Sequence, residues 1–323
     1  MKILITGGFG YIGSFLIEKF LQNKNYEIIV IDNLIYKNQP LNLPNIKHFN
    51  IDLRMINDYD KYLDGVEAII HLAALVGDPV CAKNSELAKE INFAASIKLI
   101  EEAKKNKIPK FIFVSTCSNY GKMADSSKYI DETGELRPVS LYAQLKVEVE
   151  KYILQNQTVD FYPVILRFAT AYGLNKHRMR FDLTVNEFTR DSVLKNELVI
   201  YGEQFWRPYC HIFDISEAIM KVLATESKKI AYEVFNVGAT SENYTKQMIY
   251  ELLKKENPEL KVKFVKQIDD PRDYKVSFEK IKNVLNFIPK YKVIDGIREI
   301  IAALKANIFP DAYNKIYRNE IIV

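Results

Sequence analysis

The stretch M-K-I-L-I-T-G-G-F-G-Y-I-G-S-F-L, residues 1–16, decides the reading of this chain. Lys2–Thr6 is a short apolar run. Gly7, Gly10 and Gly13 follow at three-residue spacing, and an amphipathic pattern then begins with Tyr11, Ile12, Phe15, Leu16 and Phe20. Strand, glycine turn and helix in that order build a phosphate cradle. Gly7 permits the tight turn, Gly10 lets backbone N–H groups approach a pyrophosphate that a Cβ would block, and Gly13 lets the helix lie close to the strand. The helix N-terminus turns its partial positive charge toward the anion. Residues 26–31 read as a second strand ending at Asp32. A carboxylate about twenty residues past the glycines accepts ribose hydroxyls and repels a 2′-phosphate. With no arginine nearby to hold such a phosphate, Asp32 favours NAD over NADP, and Lys37 is the nearest opposing charge.

Outward from this unit, apolar runs alternate with helical patterns. Ile46–Asn50 reads as a third strand, 66–72 as a fourth, 110–115 as a fifth and 163–167 as a sixth, with helices over 85–106 and 142–155. Nearly all-apolar strands such as I-I-V-I and F-I-F-V fit a sheet covered on both faces, so the expectation is a doubly wound, parallel α/β sheet of Rossmann type. Past residue 175 the rhythm changes: loops lengthen and arginine and aromatic residues cluster. We therefore expect residues 1–175 to form the dinucleotide-binding domain. A smaller, mostly helical substrate region should fill 176–323, with the chain returning to the sheet near 209–214 and 233–238. The prolines at 40 and 44 mark an irregular connection, and the tail 309–323 has no clear period.

Composition narrows the classes. Hydrophobic content of 48% and charged content of 27% are ordinary for a globular protein in water. The net charge of +4 comes with no Lys/Arg block of the kind that tracks nucleic acid, so no nucleic-acid partner is expected. The longest apolar runs, such as 68–76, are too short to span a bilayer. Three widely spaced cysteines, Cys81, Cys117 and Cys210, form neither a metal spacing nor a disulfide framework. Together with a start directly on a core strand, this makes a cytoplasmic location the expectation.

A second constellation carries the chemistry. Tyr142 and Lys146 stand at i and i+4 on one helix face. A lysine ammonium there, and the positive ring of an oxidised nicotinamide, would both pull the phenol below its reference pKa of roughly 10. Tyr142 then becomes a general base able to take a proton from a sugar hydroxyl. Thr116, just past the fifth strand, lies at the carboxyl edge where ligands bind in such sheets. A lone Y-x-x-x-K is a poor signal; its place between the fifth and sixth strands, after S-T-C-S-N-Y-G, gives it weight.

Six motifs in combination point to a family: T-G-G-x-G-x-I-G at 6–13, D-x-R at 52–54, H-L-A-A at 71–74, S-T-x-S-x-Y-G at 115–121, Y-x-x-x-K at 142–146 and R-x-Y-x-H-x-x-D at 207–214. The chain resembles the extended short-chain dehydrogenase/reductase superfamily, in its nucleotide-sugar epimerase/dehydratase branch, to about residue 305. The resemblance implies NAD as cofactor, with contacts from Gly7, Phe9, Gly10, Tyr11, Ile12 and Gly13. Asp32 and Asn33 follow the second strand. Asp52 and Leu53 lie along the adenine, and Leu72, Ala73 and Ala74 along the pyrophosphate and ribose. Asn92 steadies the sheet centre, with Ser115, Tyr142 and Lys146 completing the cofactor set. It further implies Thr116, Tyr142 and Lys146 as the catalytic set, and Val76, Thr116, Thr170, Arg180, Arg207 and Arg272 toward the substrate. Arg207 would grip its diphosphate and Arg272 would be a second diphosphate arginine. A guanidinium fork suits phosphate and stays charged. Arg178 and Arg180 serve either the substrate or a domain interface. His71, His211 and Cys117 read as structural.

Departures from the family pattern narrow the reaction. The 4,6-dehydratases of this branch place an Asp-Glu pair directly after the catalytic threonine, where this chain has Cys117 and Ser118. Enzymes that epimerise C3 and C5 carry a cysteine at the position of Ser118. Many relatives carry asparagine at the position of Thr170. What remains is reversible hydride transfer at one carbon, C4, by a 4-epimerase or 4-dehydrogenase. A 4-keto-sugar reductase is the rival, then a 4,6-dehydratase, and a non-catalytic NAD-binding regulator comes from another class. The patterns at 73–79, 178–183 and 270–274 are similar to a subgroup that includes GDP-heptose 4-dehydrogenases of capsule synthesis. That similarity implies a GDP-sugar ahead of a UDP- or dTDP-sugar, and a glycan pathway. The resemblance also implies a homodimer built through the helices at 85–106 and 142–155.

Overall fold

Residues that alternate along each central strand are apolar on both sides, which forces both faces of the sheet to be covered. The computed structural model describes residues 1–323 except 24, 38, 42–44, 124, 126–127, 267–271 and 321–323. The proline at 44, residues 270–271 of the D-P-R-D-Y pattern and the end of the tail lie outside the described residues. The strands are β1 (Lys2–Thr6), β2 (Glu27–Asp32), β3 (Ile46–Asn50), β4 (Ala68–His71), β5 (Lys110–Thr116), β6 (Tyr162–Phe168), β7 (Thr170–Tyr172), β8 (Glu197–Tyr201), β9 (Trp206–His211), β10 (Val234–Val237), β11 (Asn243–Thr245) and β12 (Lys261–Val265). The helices are α1 (Tyr11–Leu21), α2 (Asp60–Leu63), α3 (Asp78–Lys83), α4 (Ser85–Lys89), α5 (Ala95–Lys105), α6 (Leu141–Gln155), α7 (Thr184–Leu194), α8 (Ile212–Ala224), α9 (Lys246–Glu256), α10 (Glu279–Leu285) and α11 (Val293–Lys305).

Seven strands form one parallel sheet in the order β10-β6-β5-β4-β1-β2-β3. Ile3, Ile5, Ile28, Val30, Ile70 and Ile112 pack on one face against Leu16, Ile17 and Phe20 of α1 and Ile215, Ile219 and Val222 of α8. Their neighbours Leu4, Ile29, Ile31, Ile69, Phe111 and Phe113 pack on the other face against Leu99, Ile100 and Ala103 of α5 and Val149 and Ile153 of α6. This is the Rossmann-type α/β fold. The order of strands reverses at β1, which lies between β2 and β4, and in sheets of this kind the ligand crevice lies beyond the carboxyl ends of the strands at such a point.

Two expectations change in the second half of the chain. Residues 209–214 do not return to the main sheet. β9 instead pairs with β7 and β11 in a separate three-stranded sheet, and Asp214 lies in the first turn of α8. A short half-apolar strand has the same period whichever sheet it joins, so only long-range pairing decides between them. The 233–238 return is real: β10 pairs with β6. The substrate region is also less purely helical than expected, since α7, α9 and α11 pack with this small sheet and with the pair β12-β8. The helix read over 85–106 is continuous but carries a π-helical turn at Glu90–Ala94, between α4 and α5.

The close approach at the switch point depends on Gly7. Its φ is +69°, and a Cβ there would meet the Cα and N of Ala73 at 2.7 Å. Gly7→Ala therefore combines left-handed strain with a backbone clash. It should lower the free energy of unfolding by at least the roughly 1–3 kcal/mol of backbone strain alone, read as a lower urea midpoint at unchanged slope.

Candidate active site

The glycine loop is built from its own backbone. The Gly7 N–H donates to the Ile31 carbonyl at 2.8 Å, the Gly10 N–H to the Gly7 carbonyl at 3.1 Å and the Ser14 N–H to the Gly10 carbonyl at 3.0 Å. Gly13 has a different neighbour from the one expected: a Cβ there would meet the carbonyl oxygens of Gly8 and Gly7 at 2.6 and 2.7 Å, so it is the loop, not the strand, that lies against the helix. A Cβ on Gly10 has, among the described residues, only the Gly7 carbonyl oxygen within 4 Å, at 3.3 Å. The outer side of the loop is thus open where the inner side is closed. No acidic residue occupies the first turn of α1 to offset its positive end. Asp32 ends β2 and ties the loop down, accepting from the Phe9 and Leu34 N–H groups at 2.9 Å each. Burial pushes this carboxyl up, while the two N–H groups and the charge of Arg178 work the other way. These residues fit a dinucleotide, with the loop and the α1 terminus for its pyrophosphate and Asp32 for a ribose.

Other residues expected at the cofactor also have partners within the protein. Asp52 caps the short turn Leu53–Met55, accepting from the Arg54 backbone N–H at 2.9 Å, from the Arg54 guanidinium and from Asn33 Nδ2 at 2.9 Å. Although burial works upward, these donors hold its carboxyl below the usual range. Leu53 is buried beneath Phe49 and Tyr59, leaving little of its side chain for an adenine. Leu72, Ala73 and Ala74 are half-buried at the end of β4, where the Leu72 N–H donates to the Thr6 carbonyl at 3.0 Å. Asn92 sits in the π-turn and is fully buried. Its Oδ1 accepts from the Leu75 N–H at 2.7 Å and its Nδ2 donates to the Leu75 carbonyl at 2.9 Å, so its amide serves that backbone and not the cofactor. His71 bridges Thr6 Oγ1 and Ser96 Oγ, and burial first, then the charge of Lys146, pushes it down to about 3, so it is neutral and structural.

The catalytic candidates converge where α6 meets the end of β5. Ser140 caps the helix by accepting from the Ala143 N–H at 3.3 Å, so Tyr142 falls in the first turn and Lys146 one turn on. Lys146 Nζ lies 6.0 Å from the Tyr142 ring centroid and donates to the Val114 carbonyl at 2.8 Å. Thr116 closes β5, and its Oγ1 accepts from the Ser118 N–H at 3.1 Å. A residue unmarked in the sequence completes the arrangement: Glu150, at i+8 from Tyr142, is 1% exposed. It accepts from Ser115 Oγ, from Asn119 Nδ2 at 2.8 Å and from the Arg167 guanidinium at 2.6–3.1 Å. Ser115 therefore turns its hydroxyl to Glu150 and not to a cofactor. Arg167 continues to the Tyr120 hydroxyl at 3.0 Å, and Tyr120 to Asn236 Oδ1 at 2.7 Å. Lys146 and Glu150 thus fix the two residues that precede Thr116.

In the protein alone, Tyr142 shifts the opposite way from the pull expected of Lys146 and a nicotinamide. Burial pushes its hydroxyl well above the ordinary phenol range, Cys81 and Asp78 add to this, and Arg180 works downward. Lys146 moves the opposite way, down to about 8, chiefly by burial and against the pull of Glu150. The packing that brings the pair together penalises both charged forms.

Around this pair the substrate candidates take separate places. The Tyr36 hydroxyl accepts from the Val76 N–H at 3.1 Å and packs in one cluster with Tyr142, Leu75 and Cys81. Arg180 is bidentate to Asp182, at 3.0 and 2.7 Å, and its charge reaches both Tyr142 and Tyr36. Arg207 and Arg272 lie on the other side, both acting on Tyr209 and Tyr274. Arg207 stands 5.3 Å over the Tyr274 ring, and the Tyr274 hydroxyl donates to Ser118 Oγ at 3.4 Å. Arg272 meets Asp78 at 2.7 Å. Thr170 pairs in β7 opposite Tyr209. His211 accepts from the Phe213 N–H and bonds Glu299, a structural place. A groove of about 480 Å³ runs between α7 and β8, lined by apolar residues such as Phe188, Val199 and Tyr201 and by the charged Glu187, Asp191 and Lys195.

A model of the family described as NAD dependent epimerase/dehydratase matches residues 3–238. The chain belongs to this family. It is an NAD-dependent enzyme of the short-chain dehydrogenase/reductase type, and NAD is its cofactor. The UDP-glucose 4-epimerase of Streptococcus mutans is 25% identical over 342 residues, covering 97% of this chain and 99% of that protein. A UDP-N-acetyl-alpha-D-glucosaminuronate decarboxylase of Bacillus cytotoxicus is 25% identical over 317 residues, covering 93% and 96%. Among solved structures, the UDP-glucose 4-epimerase of Thermotoga maritima with UDP-glucose superposes with a TM-score of 0.83 at 25% identity, covering 95% of this chain and all of that one. Among the described residues of this epimerase/dehydratase-family chain, no helix is long and apolar enough to cross a membrane.

Two variants separate cradle from frame. Gly10→Ala obstructs only the open side of the loop, so it should weaken NAD binding by about tenfold or more in a fluorescence titration, with stability falling by no more than about 1 kcal/mol. Glu150→Gln strands the buried Arg167 charge and should cost about 3–5 kcal/mol in urea unfolding, much of it recovered by adding Arg167→Met.

Proposed function

We propose that this enzyme oxidises a nucleotide-linked sugar at C4, reversibly, as a 4-epimerase or a 4-dehydrogenase. The observation that carries this reading is Lys146, which lies 6.0 Å from the Tyr142 ring and holds the Val114 carbonyl two residues before Thr116 at the end of β5. When bound, NAD supplies a hydride acceptor that can return the hydride. The protein supplies the proton chemistry. Tyr142 takes the proton of the sugar hydroxyl, Thr116 positions that hydroxyl, and Lys146 steadies the phenolate. Burial keeps Tyr142 protonated until a positive group approaches it, so the base forms only in the loaded site.

The residues after Thr116 support simple oxidation over dehydration. Cys117 is 1% exposed, its Sγ donates to the Arg167 carbonyl at 3.3 Å, and burial pushes its thiol well up. It faces the core and offers no acid or base to a neighbouring sugar carbon. Arg207 and Arg272 would hold the diphosphate from the opposite side, and the groove beside Tyr201 offers a half-apolar wall to a base. The motif patterns at 73–79 and 178–183 favour a GDP-sugar, whereas the relatives named above act on UDP-sugars. We propose further that residues 1–175 with 233–238 hold the cofactor and that the rest of the chain holds the sugar nucleotide. We place the enzyme in a cytoplasmic glycan pathway. A homodimer would form through the helices from Ser85 to Lys105 and α6, where Phe93, Ile97 and Tyr152 are only part-buried.

The test is to follow the reduced-nicotinamide absorbance of the purified protein while UDP-, GDP-, dTDP- and CDP-sugars are added. Cycling without net change while the sugar is converted identifies an epimerase, and a lasting rise with a ketone product identifies a 4-dehydrogenase. Tyr142→Phe should keep NAD binding and lose about 10²–10⁴-fold in turnover. Undiminished turnover would refute this mechanism, and NAD binding without response to any sugar would favour a regulator.

A further inference from the structure

The tail beyond α11 is clasped by a buried arginine. Arg178 is 5% exposed. Its Nη1 donates to the carbonyls of Met179 and Ile316, and its Nη2 to the Arg318 carbonyl at 2.9 Å and to Asn319 Oδ1 at 3.2 Å. The Phe181 N–H donates to the Tyr317 carbonyl at 2.9 Å, and Phe181, Phe309 and Tyr317 pack edge-on with centroids 5.3–5.7 Å apart. Residues 309–319 are thus fastened along the loop 174–182.

The same loop carries Arg180 and Asp182. Asp182 is the shared element: its Oδ2 accepts from the Asn319 backbone N–H at 3.2 Å and from Arg180 Nη2 at 2.7 Å. Arg180 in turn places its charge on Tyr142 and Tyr36. The loop is also anchored to the start of α1, since Asn175 Nδ2 donates to the Tyr11 carbonyl at 2.7 Å and Asn186 Nδ2 bridges the Arg180 carbonyl and the Tyr11 hydroxyl. An unbroken chain of bonds runs from the tail through Asp182 to Arg180, in a loop tied to the start of α1 just past the glycine turn.

We infer that Arg178 is a positioning residue, and that the segment 309–319 it clasps sets Arg180 in place to meet an anionic or hydroxyl group of the substrate. This rests on the reading of Arg180 as a substrate contact. Asp182 couples the two, since one carboxylate oxygen accepts from both the tail and Arg180. The charged fork suits the role: one planar group satisfies several carbonyls at fixed angles, which a flexible ammonium does not.

The experiment compares wild type with Arg178→Met, Arg178→Lys and Asn319→Ala by hydrogen–deuterium exchange. Steady-state kinetics follow, with whichever nucleotide sugar the wild type turns over. Tyr313→Phe is the control: it removes the hydroxyl bond to Asp191 on α7 and leaves Arg178 its partners. In Arg178→Met, exchange should accelerate in both 309–319 and 174–182, and KM should rise by about tenfold or more with a smaller fall in kcat, as for a lost binding contact. Arg178→Lys should recover part of the KM, and Tyr313→Phe should match wild type. If Arg178→Met does not fold, Asn319→Ala gives the same pattern at smaller amplitude. The inference is overturned if the tail loosens while 174–182 does not, or if both loosen with KM unchanged. Should the wild type act on no nucleotide sugar, the proposed function fails by itself, and the exchange data still decide whether tail and loop are coupled.

Discussion

A carboxylate sealed from water, Glu150, is the interaction on which this site depends. Desolvating it would cost several kcal/mol if it stood alone. It is tolerated because Arg167 meets it in a forked, charge-assisted pair and Ser115 and Asn119 fill its remaining positions. Such a pair adds little net stability over apolar residues of the same shape, but it allows few arrangements. Ser115 precedes Thr116, and Lys146 holds the carbonyl of Val114 from the same helix face. The end of β5 is therefore registered on α6 at two consecutive residues, and the threonine is carried into place.

The same exclusion of water governs the proton chemistry. Inside the crevice, Tyr142 is driven toward its neutral form, and Lys146 is driven down to about 8. Neither group is poised in the ground state. A positive charge arriving beside Tyr142 would act in a poorly screened environment, where a charge counts for far more than in water. That makes the proposed base conditional on the loaded site.

The three arginines proposed for the substrate come from elements far apart in the chain. Arg180 comes from the loop before α7, Arg207 from β9 and Arg272 from beyond β12. Each is held by its own neighbour: Asp182, the Tyr274 ring and Asp78 respectively. Fixed guanidinium groups need less ordering when a ligand arrives than free ones would.

The sequence by itself determined the parallel sheet and the place of its crevice. Period-2 burial, glycine spacing and the i,i+4 pair at Tyr142 and Lys146 are local patterns, and local patterns survive being read along a line. It also marked Asp32, Thr116 and the arginines by chemical type. Only the tertiary structure decided which sheet β9 joins, because its alternation fits either. Only the tertiary structure placed Gly13 against the loop carbonyls and turned Asn92 and Ser115 inward. The direction of the Tyr142 shift follows from burial, which depends on Tyr36, Leu75 and Cys81 arriving from other elements. Glu150 and Asp182 are ordinary charged residues in the sequence, and Arg178 is marked there without its partners. Their roles come from partners 17 residues away for Glu150 and more than 130 for Asp182 and Arg178, distances at which pairing is a property of the folded chain alone.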